Sequence, residues 1–284
     1  MILRYPGGKK KIAHMLVGKY IPTCLEFREP FFGSGAVTFA LVSAQTNARL
    51  WINDRDTGIA ALWTTVIQNP ESLVKLVIDF SPTLDAYKEF SSSLLQGESL
   101  SDAEKGFRKL AIHQMSYSGL GLKAGGPIGG WGQDPDTNPK SYDIGCRWNA
   151  GNLVRKIRQS HLILKGRCRE DRCTSLDALE VIKAPGEGVV MYLDPPYVGA
   201  GQDLYLLGYI EADHKNLADS LKGTPHYWIL SYDDHPLVRA LYAGFEINEE
   251  TWAYTITSKK GNRGVELVIC QGMHEARHAF ADLW

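Results

Sequence analysis

Residues 188–193 read Gly-Val-Val-Met-Tyr-Leu, and the run stops at Asp194-Pro195-Pro196-Tyr197. A strand with one wet face alternates apolar and polar residues. An unbroken apolar run belongs to a strand covered on both faces. The two prolines then end ladder pairing, because proline has no N–H to donate. A doubly covered strand implies a parallel sheet with helices front and back, so this segment commits the chain to an α/β architecture. Residues 226–231 (His-Tyr-Trp-Ile-Leu-Ser) form a second such run.

Nearer the N-terminus, residues 25–27 predict a short strand leading into Glu29-Pro30-Phe31-Phe32-Gly33-Ser34-Gly35. The apolar stretch 36–44 predicts a helix, and 49–52 a second strand ending at Asn53-Asp54. Strand, Gly-rich turn, helix, strand is a βα unit of a parallel sheet. At the other end, residues 253–257, a turn at Lys259-Lys260-Gly261-Asn262 and the apolar run 265–270 predict an antiparallel hairpin closing the sheet. The middle differs. Residues 58–114 carry helical spacing through Leu62, Val66, Leu73, Leu76 and Val77, and 118–149 is Gly-rich. The expected plan is one α/β domain from 1–57 and 158–284, with a helical and loop-rich insertion, 58–157, between its second and third strands.

The five cysteines are odd in number and scattered, which suits reduced thiols in a cytoplasmic protein. Cys168 and Cys173 lack the companions of a zinc site, so no metal is expected. No run reaches the roughly 18 apolar residues of a membrane span. The segment 1–11 is rich in Pro, Gly and Lys and does not read as a secretory leader.

The turn at Gly33-Ser34-Gly35 lets the backbone approach a ligand closely. It lacks the third Gly of a dinucleotide fingerprint, which would fall at Thr38. Gly7-Gly8-Lys9 likewise lacks the first Gly and the hydroxyl residue of a phosphate-binding P-loop. Asp54 ends the second strand 21 residues after Gly33, a separation that suits hydrogen bonds to a ribose diol. An adenosyl ligand without phosphates fits both features, and S-adenosylmethionine is one. Asp194 follows a strand directly, at the edge where open α/β sheets bind ligands. Its carboxylate, a fixed Pro195 carbonyl, the stiff Pro196 and the ring of Tyr197 suit a planar base with an exocyclic amino group.

Together, Arg4-Tyr5-Pro6-Gly7-Gly8-Lys9, Phe31-x-Gly33-x-Gly35 and Asp194-Pro195-Pro196-Tyr197 closely resemble the Dam-like, alpha-group DNA adenine-N6 methyltransferases, in the same order. The resemblance implies a Rossmann-like, S-adenosylmethionine-dependent methyltransferase sheet with an inserted, mostly helical target-recognition domain. It implies that Asp194, Pro195, Pro196 and Tyr197 act on a flipped-out adenine. It assigns Tyr5, Lys9, Phe31, Gly33, Ser34, Gly35, Asp54 and Asp194 to the cofactor. Asp177, 17 residues before Asp194, matches a polar residue near the cofactor adenine, with Asp171 as its rival. Asn262-Arg263 and Glu266 fall in the terminal hairpin and receive no catalytic role. His113, His214 and His226 are read as structural.

The net charge of -1 argues against a uniformly basic DNA binder, but charge is unevenly spread. Residues 1–25 hold five Lys/Arg and no acid, and residues 147–172 hold eight against two acids. Residues 54–104 carry nine acids against three bases. Phosphate contacts are therefore expected from Lys9, Arg147, Arg155 and Arg158. Ser116-Tyr117-Ser118-Gly119-Leu120 resembles the family's aromatic–Asn–Gly–Leu pattern, with Ser118 replacing Asn. Ser118 and Lys123 join the expected DNA contacts, and the recognition sequence stays open between GATC and another. The expected partner is double-stranded DNA, met by a monomer. Two alternatives remain at this stage: a methyltransferase acting on RNA or another amino group, and a non-catalytic DNA-binding module.

Overall fold

The computed structural model describes residues 1–4, 8–44, 47–131, 143–199, 208–253 and 263–271. At its centre lies the apolar run of residues 188–193, as strand β4 (Val189–Leu193), every residue of which is buried. Val190 and Tyr192 enter one core, and Val189, Met191 and Leu193 enter another on the opposite face. Each fully buried side chain of this kind contributes about 1.5–3 kcal/mol.

The other strands are β1 (Glu26–Glu29), β2 (Arg49–Asn53), β3 (Cys168–Thr174), β5 (Tyr227–Asp233), β6 (Glu246–Ala253) and β7 (Arg263–Cys270). They form one seven-stranded sheet in the order β3-β2-β1-β4-β5-β7-β6. β1 through β5 run parallel, with Phe27 opposite both Leu50 and Val190. β7 is antiparallel to both β5 and β6, its Ile269 opposite Leu230 and Ile247. Strand order reverses between β1 and β4, which opens a crevice at their carboxyl ends.

One face is covered by α1 (Ala13–Tyr20), α2 (Ala36–Ala44), α3 (Thr57–Gln68), α4 (Pro70–Asp79), α5 (Leu84–Gln96), α6 (Asp102–Met115) and, after the short α7 (Gly121–Ala124), α8 (Ala150–Leu164). The other carries α9 (Ala178–Lys183), α10 (Glu211–Gly223) and α11 (Pro236–Leu241). Caps fix several starts. Asp56 accepts from Gly58 N and Ile59 N at α3, and Ser101 with Glu104 forms a reciprocal box at α6. Arg28, fully buried on β1, closes the C-terminal end of α9 by donating to the carbonyls of Val181, Ala184 and Pro185.

The expected helical region is present as α3–α6, and among the described residues its buried side chains join the core on that face of the sheet. Leu50 and Ile52 of β2 belong to one cluster with Leu62, Trp63, Leu110 and Ile157 of the helices. The region is a swollen crossover from β2 to its parallel neighbour β3. The sequence reading had no strand at 168–174; with β3 there, residues 58–157 lie between β2 and β3. The hairpin's first arm is also earlier than expected, as β6 spans Glu246–Ala253. The expected positions 254–257 and the turn at 259–262 lie outside the described residues. The segment 147–172 expected to carry basic charge is divided between α8 and β3. Cys168 is buried beside Leu50, and Cys173 accepts a hydrogen bond from Thr64 at 3.3 Å. Among the described residues, no helix is long and apolar enough to cross a membrane.

Candidate active site

The Gly-rich turn between β1 and α2 is shaped by left-handed backbone at Gly33 (φ 47°) and Gly35 (φ 70°). A Cβ on Gly35 would meet the Phe32 ring at 2.5 Å. Three bonds hold this turn down. Phe32 N donates to Asn53 O at 2.9 Å, Gly33 N to Asp54 Oδ2 at 2.8 Å, and Trp63 Nε1 to Gly33 O at 2.9 Å. The turn forms one wall of a cleft of about 900 Å³, open mouth included, whose opposite wall contains Asp194 and Pro196.

Phe31, Gly33, Ser34, Asp54, Lys9 and Asp194 all line this cleft. Pro195 is buried beside it and Tyr197 is half-buried. Asp177 is not among the lining residues; it precedes the lining residue Ala178, and its carboxylate caps α9 by accepting from Leu179 N at 2.9 Å. Its rival Asp171 lies exposed on β3, paired with Arg169. Tyr5 and Asn262 lie outside the described residues.

Residues the sequence reading passed over also converge here. Glu29 ends β1 buried, accepting from both the N–H and the hydroxyl of Thr38 in α2. Tyr209 lines the cleft and packs edge-on against Phe31, with centroids 5.8 Å apart. Glu266 is fully buried on β7. Because β7 runs antiparallel, its amino-terminal end meets the carboxyl ends of the parallel strands, with Glu266 opposite Asp233. The signal was a lone acid in the otherwise apolar run 265–270.

Lys9 joins these elements. It is 6% exposed, and its Nζ lies 2.8 Å from Asp194 Oδ1, 3.0 Å from Glu266 Oε1 and 2.7 Å from the Tyr197 hydroxyl. The Tyr197 hydroxyl in turn donates to Glu266 Oε1 at 2.7 Å. Burial disfavours the Lys9 charge, but Asp194 and Glu266 outweigh it and hold its pKa well above the usual lysine range. Burial raises the Asp194 carboxyl, and Glu266 adds to that rise against the opposing pull of Lys9. The Lys9 ammonium, expected among the phosphate contacts, meets two carboxylates inside the cleft.

The outer basic residues divide as well. Arg158 donates twice to Glu71, at 2.8 and 2.7 Å, so its charge is matched on the α4 side. Arg147 and Arg155 are exposed. Ser118 is half-buried in left-handed backbone (φ 53°), and Lys123 lies in α7. The histidines serve the fold. His113 Nδ1 meets the carbonyls of Arg4 and Gly119, His214 Nδ1 the Tyr232 hydroxyl, and His226 Nε2 the Ala184 carbonyl.

Glu29, Asp54, Asp56 and Asp194 line the cleft against the cations Lys9 and Arg55. Such a surplus of carboxylates suits a cationic ligand, and the apolar wall of Phe31 and Ala178 suits a nucleoside. S-adenosylmethionine combines a sulfonium with an adenosine, so the residues present fit it. An amino-methyltransferase of the Rossmann-like class accounts for both the acidic cleft and the Asp-Pro-Pro-Tyr lip.

A family model for D12 class N6 adenine-specific DNA methyltransferases matches residues 5–121 and 152–256. Comparison with curated proteins returns no match. The chain belongs to the D12 class N6 adenine-specific DNA methyltransferases. Its substrate is DNA, its acceptor the N6 amino group of adenine, and its methyl donor S-adenosylmethionine.

Proposed function

We propose that the chain methylates an adenine rotated out of double-stranded DNA into the cleft, with Asp194 and the Pro195 carbonyl accepting the two N–H bonds of its amino group. The amino nitrogen is a poor nucleophile because its lone pair is delocalised into the ring. Two acceptors on its N–H bonds favour a geometry in which that lone pair points out of the plane. Extrusion from the stack is required because the amino group of a stacked, paired base cannot be reached.

Each side chain has a distinct task. Lys9 occupies one oxygen of Asp194 and favours its charged form against burial and Glu266, and a carboxylate's roughly four acceptor sites leave room for a substrate N–H. Pro195 and Pro196 fix the carbonyl direction. Tyr197, its hydroxyl tethered to Lys9 and Glu266, offers its ring to the base, a contact worth about 1–3 kcal/mol. Phe31, Gly33, Ser34 and Asp54 hold the cofactor, which supplies the activated methyl group. Orientation and preset electrostatics provide the rate gain.

Residues 122–151 fall between the two stretches matched by the family model. This segment contains the Gly-rich loop and Arg147, and we assign site choice to it together with Ser118 and Lys123. The observation that carries the catalytic reading is the Lys9–Asp194–Tyr197–Glu266 cluster at the carboxyl end of β4. The experiment is transfer of tritiated methyl groups to duplex DNA by wild type and Asp194→Ala, with cofactor affinity measured in parallel. Transfer should fall by at least about 100-fold while the cofactor still binds. Near-wild-type transfer by the variant refutes the assignment.

A further inference from the structure

A second groove runs between α1, α2 and α8, outside the cleft. Its open volume is about 750 Å³. Lys10, His14, Lys156 and Gln159 stand along it, and Phe39, Ala40 and Ile163 give it an apolar floor. Ala36 lines both this groove and the catalytic cleft, so the two lie on either side of one residue. Successive residues divide between them: Lys9 lines the cleft and Lys10 the groove.

The groove's charge is unbalanced. Neither Lys10 nor Lys156 has a carboxylate within ion-pair distance among the described residues, and no acid lines the groove. Arg155 stands beside them on α8, bonded to Asn152 and Gln159 and to no acid. Burial, then repulsion from Lys10 and Arg155, holds the Lys156 ammonium below its usual range. Cations above an apolar floor match a chain that alternates anionic phosphates with carbon-rich sugars. A free phosphate would leave the floor unused.

We propose that this groove seats the sugar–phosphate backbone of the DNA strand flanking the target adenine, with phosphates on Lys10 and Lys156 and deoxyribose against Phe39 and Ala40. The inference rests on the reading that the adenine enters the neighbouring cleft.

The test is a salt titration of duplex DNA binding by fluorescence anisotropy, for wild type, K10A/K156A and Lys75→Ala. Lys75 is an exposed cation on α4, away from the groove. Each lost phosphate contact lowers the slope of log affinity against log salt by about 1. The double variant should therefore show a slope shallower by about 2, with binding weakened equally for all sequences. Lys75→Ala should keep the wild-type slope. Cofactor affinity, read in the same preparations, verifies that the double variant is folded, and K10E/K156E should weaken DNA binding further. An unchanged slope in the double variant overturns the groove. So does saturable binding of inorganic phosphate that both lysines support while DNA binding is unaffected. Absence of adenine methylation by wild type would instead overturn the reading of the cleft, so the two failures are distinguishable.

Discussion

Glu266 and Lys9, from opposite ends of the chain, meet at 3.0 Å beneath Tyr197. One ammonium is thereby shared between two carboxylates, Glu266 and Asp194, and the phenol hydroxyl is fastened to both Lys9 and Glu266. Glu266→Gln preserves an acceptor for Tyr197 but removes a negative charge. Glu266 contributes to raising the Asp194 carboxyl, so that carboxyl should ionise at lower pH in the variant. The acid limb of the kcat/KM profile should move to lower pH. Loss of a charge-assisted bond, worth about 1.5–3 kcal/mol, should reduce turnover by roughly tenfold or more. Glu266→Ala should lose more. An acid limb that stays in place for Glu266→Gln removes Glu266 from the electrostatics of Asp194.

Cofactor affinity should rise with pH. Burial pushes Glu29 up to about 8, and burial with the neighbouring Asp56 pushes Asp54 up to about 7. Near pH 6 both carboxyls are largely protonated, and near pH 9 both are charged. A sulfonium ligand gains from that charge, whereas S-adenosylhomocysteine, neutral at sulfur, gains less. Calorimetric titration of both ligands from pH 6 to 9 checks the divergence; parallel curves would contradict it.

The same two groups tilt the stability of the ligand-free protein. Their ordinary values are 4.5 and 3.8, so below about pH 4 folded and unfolded chains alike hold these protons. Between about 4 and 8 only the folded chain keeps them, and stability declines as pH rises through that window. Glu29→Gln should flatten the fall of Tm between pH 5 and 8. A slope equal to wild type would show that Glu29 does not titrate this way.

Gly35→Ala should damage the cofactor turn. Left-handed backbone costs an L-residue about 1–2 kcal/mol, and the new methyl group would press on the Phe32 ring. The expected result is a lowered Tm together with weakened cofactor binding. Gly97, also left-handed at φ 67° but with open space around its Cβ position, is the comparison: Gly97→Ala should cost stability without affecting the cofactor. Equal cofactor affinity in the two variants would count against the turn's role.

Shortening the segment 125–130 should change which sites are methylated, because site choice is assigned to the stretch between the two family-matched regions. Sequencing of modified bases in DNA from cells expressing each form provides the readout. Identical methylated contexts would exclude the loop from recognition.

Two parallel strands were legible because they are rich in unbroken apolar residues, whereas β1, equally central, reads Glu-Phe-Arg-Glu and was placed by the Gly-rich turn that follows it. β4 and β5 announced themselves, and Asp194 inherited its place from β4. Edge strands gave no such signal. β3 exposes Arg169, Glu170 and Asp171 and breaks register between Leu50 and Ile52, and charges of this kind are tolerated at an edge. β6 is the opposite edge and carries Glu246, Glu249 and Glu250. The cleft's turn was readable from its glycines, but the partners of Lys9 were not. Its charged neighbours in sequence, Arg4, Lys10 and Lys11, are all basic, and only the folded topology brings Asp194 and Glu266 to it. Counting charges along the chain therefore assigned it to phosphate.

The helices between β2 and β3 share their core with the sheet, and Trp63 reaches from α3 to the carbonyl of Gly33. A recognition cassette excised at residues 57 and 158 would take part of the enzyme's interior with it. The helical segment and the cofactor turn are therefore one folding unit, and a change in the packing of α3 is felt at the floor of the cleft.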